Sequence, residues 1–83
     1  MYRYTIRQED VRNGLDPTTF APAIYHKIIE FDHNILKVVP KKEIKEWMTV
    51  TIKDRYKISS DKENFYIDFE NEADYEWFAL RWL

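Results

Sequence analysis

Phe65-Tyr-Ile-Asp-Phe-Glu-Asn-Glu-Ala-Asp-Tyr-Glu-Trp-Phe-Ala-Leu-Arg-Trp-Leu83 holds two of the chain's three tryptophans and its clearest local grammar. Phe65, Ile67 and Phe69 alternate with Tyr66, Asp68 and Glu70, the period-two pattern of a strand with one apolar and one wet face. Antiparallel sheets tolerate such a strand, whereas a buried parallel sheet wants continuous apolar runs. Asn71 then opens a helix as its N-cap. Glu72 and Asp74 place negative charge in the first turn and Arg81 places positive charge in the last, both favourable to the helix dipole. One strand feeding one capped helix points to an α+β domain.

The side chains of that helix form two apolar faces. At about 100° per residue, Tyr75, Phe78, Ala79, Trp82 and Leu83 cluster on one side, and Ala73, Trp77 and Leu80 on another. A helix lying on a sheet buries one face. The second packs on a neighbouring helix, covers a sheet edge or meets a partner. Trp77 therefore has three readings: packing against a helix at 41–54, contact with a partner or a second copy, or stacking on a base. Asp74 and Glu76 beside it would repel phosphate, which weighs against the last. We take Ala73, Trp77, Leu80 and the bordering Arg81 as the candidate partner interface, because tryptophan is enriched at interface hot spots.

Working back along the chain, Tyr56-Lys-Ile-Ser-Ser60 reads as a strand joined to the Phe65 strand by a polar loop, Asp61-Lys-Glu-Asn64, of hairpin length. Before it, Ile44, Trp47, Met48, Thr51 and Ile52 fall at helical spacing, predicting a helix over 41–54 with Pro40 at its first position. The β-branched run at its end weakens the last turn. At the other end of the chain, Tyr2, Tyr4 and Ile6 alternate with Arg3, Thr5 and Arg7, predicting a strand over 2–8. Asn13-Gly14 and Asp16-Pro17 read as turns.

Residues 19–33 read two ways. As a helix capped by Thr19, they line up Phe20, Ile24, Ile28 and Phe31 on one face, with Pro22 early enough to be harmless. As a strand, they turn at Asp32-His33-Asn34 into Ile35-Leu-Lys-Val-Val39 and make a hairpin. We favour the helix. It would gather His26, Glu30 and His33 on one arc, two imidazoles and a carboxylate of the kind that ligates zinc. No His-Glu-x-x-His frame is present, however, so no metal and no cofactor is assigned.

Composition bounds the function. At 83 residues with 17% aromatics, the chain is a single domain, 1–83, with enough aromatic bulk for a core; each such ring removes roughly 150–250 Å² from water. There are no cysteines and one glycine, which leaves thiol nucleophiles, disulfides and glycine-rich phosphate cradles without their residues. No apolar run is long enough for a membrane span, and Met1 to Arg7 lacks a signal-peptide core. The expectation is a soluble, cytoplasmic, non-enzymatic protein.

Net charge is −2 but is unevenly spread. Lys37, Lys41, Lys42 and Lys45 lie in a basic stretch and mark a possible nucleic-acid surface, while residues 61–76 are strongly acidic, an asymmetry able to steer a charged partner. A protein partner or a homodimer is expected first and nucleic acid second.

The run Phe69-Glu-Asn-Glu-Ala-Asp-Tyr-Glu-Trp-Phe-Ala-Leu-Arg-Trp82, with the glycine-poor, Lys-, Ile-, Asn-, Tyr- and Glu-rich composition around it, resembles the ends of small accessory proteins of large tailed bacteriophages. The resemblance implies a host-directed or genome-maintenance factor that acts by binding in the host cytoplasm, as in host takeover or counter-defence. It carries no functional residue with it. The fold expected is an antiparallel sheet of three to four strands with two to three helices on one face.

Overall fold

The alternation at both ends of the chain brings those ends together. In a computed structural model, which describes residues 2–83 apart from the side chain of Pro22, β1 (Tyr2–Arg7) pairs antiparallel with β7 (Asn64–Phe69). The register sets Tyr4 against Ile67 and Ile6 against Phe65. β6 (Tyr56–Ser60) pairs with the other side of β7, so the sheet order is β1-β7-β6. Side chains of one parity thus share an inner face with Ile6, Ile67 and Phe69, and those of the other parity share an outer face with Arg3, Tyr66 and Asp68.

The inner face is covered by α2 (Glu72–Trp82). Phe78 is fully buried, its ring 5.2 Å from that of Phe69 and 5.5 Å from that of Tyr4. α1 (Lys42–Thr51) adds Ile44 and Met48, and its C-cap Ile52, to the same cluster. Trp47 of α1 meets α2 edge-on at Trp82, with ring centres 6.2 Å apart, and tilts against Phe78 at 6.5 Å. The expected α+β architecture is present, with two helices and a three-stranded sheet.

Residues 19–33 correct the helical expectation. β2 (Arg12–Leu15) pairs with β3 (Pro22–Tyr25), and β4 (Ile29–Asp32) pairs with β5 (Lys37–Pro40), giving two small hairpins in place of a helix. The physical reasons are local. A residue before proline is pushed out of the helical region, and paired β-branched residues such as Ile28 and Ile29 prefer a pleated surface. Asp32 Oδ1 accepts from the N–H of Asn34 at 2.8 Å, an Asx turn that starts the β4–β5 loop.

Two smaller expectations also shift. Asn13 and Gly14 lie inside β2, and the turn falls at Asp16–Phe20, where Asp16 Oδ1 accepts from Thr18 N–H at 2.8 Å and the Phe20 N–H donates to Asp16 O at 2.7 Å. At Gly14 a Cβ would stand 3.0 Å from the edge of the exposed Tyr25 ring, which would have to move aside. Pro40 ends β5 rather than opening α1. The Lys41 N–H still donates to Ile28 O at 2.8 Å, so the chain stays paired to β4 for one residue beyond Pro40, and Lys41 is the N-cap.

Candidate functional site

The cap of α2 sets which residues face outward. Asn71 Oδ1 accepts from the Asp74 N–H at 3.0 Å, and the Asp74 carboxylate in turn accepts from Arg55 Nε at 2.9 Å. With the first turn pinned to Arg55, the helix can rotate little about its axis. Phe78 and Tyr75 are directed at Phe69, and the opposite face is left outside.

That outer face holds Ala73, Trp77, Leu80 and Arg81. All four are exposed, Trp77 at 62% and Leu80 at 85%. α1 does not cover Trp77. Its tryptophan, Trp47, goes to Phe78 and Trp82 on the other face, so the two apolar faces read from the sequence divide into one that is core and one that is surface. Arg81 stacks its guanidinium 5.0 Å from the Trp82 ring centre and so borders the ridge on the core side. Glu72 and Glu76, both exposed, border the other flank.

The basic residues divide. Lys37 opens β5 and pairs with Asp32, while Lys41 is the N-cap of α1 and Lys42 and Lys45 are exposed on that helix. Along an extended strand, Lys37 and Lys41 are about 13 Å apart, so Lys37 stands off from the three lysines at the start of α1. Lys37 instead lies at the rim of a cleft of about 390 Å³. Ile6, Val11, Ile24, Ile29, Val38 and Phe65 make its apolar lining, and Gln8, Asn13, Ser60, Asp61 and Asn64 complete the rim. Sequence reading did not find this cleft, because its walls come from seven separate strands and the loops between them.

The histidines separate in the same way. His26 sits in the connection from β3 to β4, where its Nδ1 accepts from Ile28 N–H at 3.0 Å, and His33 lies in the β4–β5 turn with its ring 5.2 Å from that of Phe31. Glu30 is on β4. The helical arc that would have gathered the three does not form, and no group of three or more metal-type ligands is assembled among the described residues. His26 is held below its ordinary pKa, first by burial and then by the nearby Lys41 charge.

The outer sheet face is polar and internally bonded. Arg3 binds Asp68 through two nitrogens at 2.7 and 3.1 Å and stands 4.3 Å over the Tyr66 ring. The Tyr66 hydroxyl donates to Asp61 Oδ2 at 2.6 Å and accepts from Asn64 Nδ2 at 3.1 Å. The Arg3 hydrogen bond lowers the Asp68 pKa, and the Tyr66 hydroxyl lowers that of Asp61. These groups satisfy one another, whereas Trp77 and Leu80 of the α2 ridge are largely uncovered by the described residues.

Searches among protein-family models, curated proteins and solved structures find no match. The ridge is therefore read from its own chemistry. It offers apolar area between acidic and basic flanks, which suits burial against another surface.

Proposed function

We propose that this chain is a small accessory protein of the bacteriophage type that acts without catalysis, by binding a host or viral protein through the ridge Ala73, Trp77, Leu80 and Arg81. The observation that carries the reading is the exposure of Trp77 and Leu80 on a helix whose other face already completes the core. A tryptophan left in water forgoes a hydrophobic gain that its neighbours on the same helix obtain, so a surface tryptophan beside an exposed leucine favours a partner. Such a residue, seated in a partner's pocket, typically costs at least about 2 kcal/mol of binding when truncated.

The partner that fits has an apolar groove and a basic rim facing Glu72 and Glu76. Capture from a bacterial host lysate with wild type and Trp77→Asp side by side tests the idea. Retained circular dichroism with loss of the captured protein supports it. Capture of the same protein by both chains, or loss of structure in Trp77→Asp, overturns it.

A further inference from the structure

β6 is an outer strand of the three-stranded sheet. Lys57 to Ser60 are all exposed, with Ile58 39% exposed although it sits on the inner-face register opposite Ile67. The phase of its backbone hydrogen bonds is fixed at both ends. Glu70 N–H donates to Arg55 O at 3.1 Å, and Asp61 N–H donates to Asn64 O at 2.9 Å. In an antiparallel ladder such pairs alternate, so Lys57 and Ser59 bond to β7 while the N–H and C=O groups of Tyr56, Ile58 and Ser60 point away from the sheet. The register is unbroken from Tyr56 to Ser60, with no bulge and no proline, and Lys57 is the only charge on the strand. These are the features of an edge that accepts another strand.

The sequence on either side of Ile58 indicates which strand. Reflected about Ile58, Lys57 meets Ser59, Tyr56 meets Ser60, and Arg55 meets Asp61, the two residues that still bond in phase with β7 at either end of the strand. The charge at one end of the ladder falls on its opposite at the other, and the chain turns away beyond both. That self-complementarity is the pattern an isologous two-fold contact requires.

We propose that β6 pairs antiparallel with β6 of a second copy about a two-fold axis at Ile58, joining two three-stranded sheets into one of six strands. Ile58 faces Ile58 of the second copy, and Tyr56 and Ser60 face Ser60 and Tyr56, each facing pair exchanging both N–H···O bonds. The two Ile58 side chains meet on the inner face and cover each other. Lys57 lies diagonal to its own copy across the axis, but Asp61 of the second copy is diagonal on its other side and Asp68 is its register partner within the sheet. Arg55 and Asp61 of the second copy stand at the two ends of the paired strands, where opposite charges favour the antiparallel register, although each also has a partner within its own chain in Asp74 and Tyr66. The contact is short and polar, which makes the dimer dependent on concentration and salt rather than obligate. It uses neither Trp77 nor Leu80 and stands apart from the ridge.

Sedimentation equilibrium and amide hydrogen exchange, from micromolar to millimolar protein at low salt, test it. The mass is expected to rise from 10.2 kDa towards twice that value. Exchange at Tyr56, Ile58 and Ser60 should slow with concentration, while Lys57 and Ser59 stay protected throughout. Ile58→Pro removes an N–H that β7 does not use and should abolish the dimer with circular dichroism retained. Ser59→Lys sets two lysine pairs across the axis and should weaken association about tenfold, and Ser59→Glu should strengthen it at low salt. Should Ile58→Pro unfold, the opposed Ser59 variants decide. A mass of 10.2 kDa at every concentration overturns the proposal. So does a dimer indifferent to both Ser59 variants, or one lost in Trp77→Asp while Ile58 exchange is unchanged.

Discussion

Lys53 shows how one backbone angle can hold a cost that sequence composition conceals. α1 ends with Ile52 as C-cap and Lys53 at φ +59°, and the Lys53 N–H donates back to Met48 O at 2.8 Å. This left-handed closing position is usually taken by glycine, because a Cβ there crowds the following carbonyl. The side chain is exposed and makes no compensating contact that this position requires. Lys53→Gly should therefore raise stability by about 0.5–1 kcal/mol in urea denaturation, the released strain exceeding the added freedom of the unfolded chain. His26 gives a second residue-scale expectation. Burial and the Lys41 charge lower its folded pKa, so its neutral form is the one the fold prefers. The contribution is fully present above the unfolded value of about 6.5 and is lost as pH falls through the lower folded value. Thermal melts of wild type should weaken as pH drops below about 6.5, and His26→Gln should flatten that portion of the curve.

The two helices differ at their N-termini, and the difference can be measured. α2 has Asn71, whose side chain accepts from Asp74 N–H, with two acids in its first turn. α1 has Lys41 as N-cap with no side-chain hydrogen bond and Lys42 next to it, two cations at the positive end of the dipole that Glu43 only partly offsets. Asn71→Ala should cost about 1 kcal/mol, whereas Lys41→Asp should gain a similar amount by supplying the missing acceptor and reversing the charge. Equal and small effects in both variants, read by chemical denaturation, would show that neither terminus limits stability. The elements themselves were legible where local pattern and tertiary demand agree. The strands at 2–7, 56–60 and 64–69 and the helices at 42–51 and 72–82 all follow the expected periodicity, with Asn71 capping as read. Residues 19–33 were legible only as two readings: the hairpin turning at Asp32-His33-Asn34 is the one present, not the favoured helix, because Ile24, Ile28 and Phe31 satisfy helical spacing while pairing with β2 and β5 decides the outcome from outside the segment. The same limit hid the cleft and the free edge of β6. Both depend on β7 lying between β1 and β6, a pairing that spans most of the chain.

At the scale of the whole molecule, neighbouring residues on α2 divide between core and surface. Phe78 is fully buried among Tyr4, Trp47 and Phe69, and Trp77, one residue earlier, is 62% exposed. Phe78→Ala would empty the centre of the only cluster shared by both helices and the sheet among the described residues, at a cost of about 3–5 kcal/mol. A domain this small has about 5 kcal/mol to lose, so that variant should be largely unfolded. Trp77→Ala should stay within about 0.5 kcal/mol of wild type, as substitutions at exposed positions do. Fluorescence adds a check that stability alone does not give. Trp47 and Trp82 pack edge-on in the half-buried pair, so iodide should quench chiefly Trp77, and the readily quenched emission should vanish in Trp77→Ala while the folded spectrum remains. A marked loss of stability in Trp77→Ala, or quenching unchanged by it, would mean that the ridge is closed in solution. In a concentrated sample, if two copies join at β6 as proposed, the quenching should persist, because the proposed contact uses neither Trp77 nor Leu80.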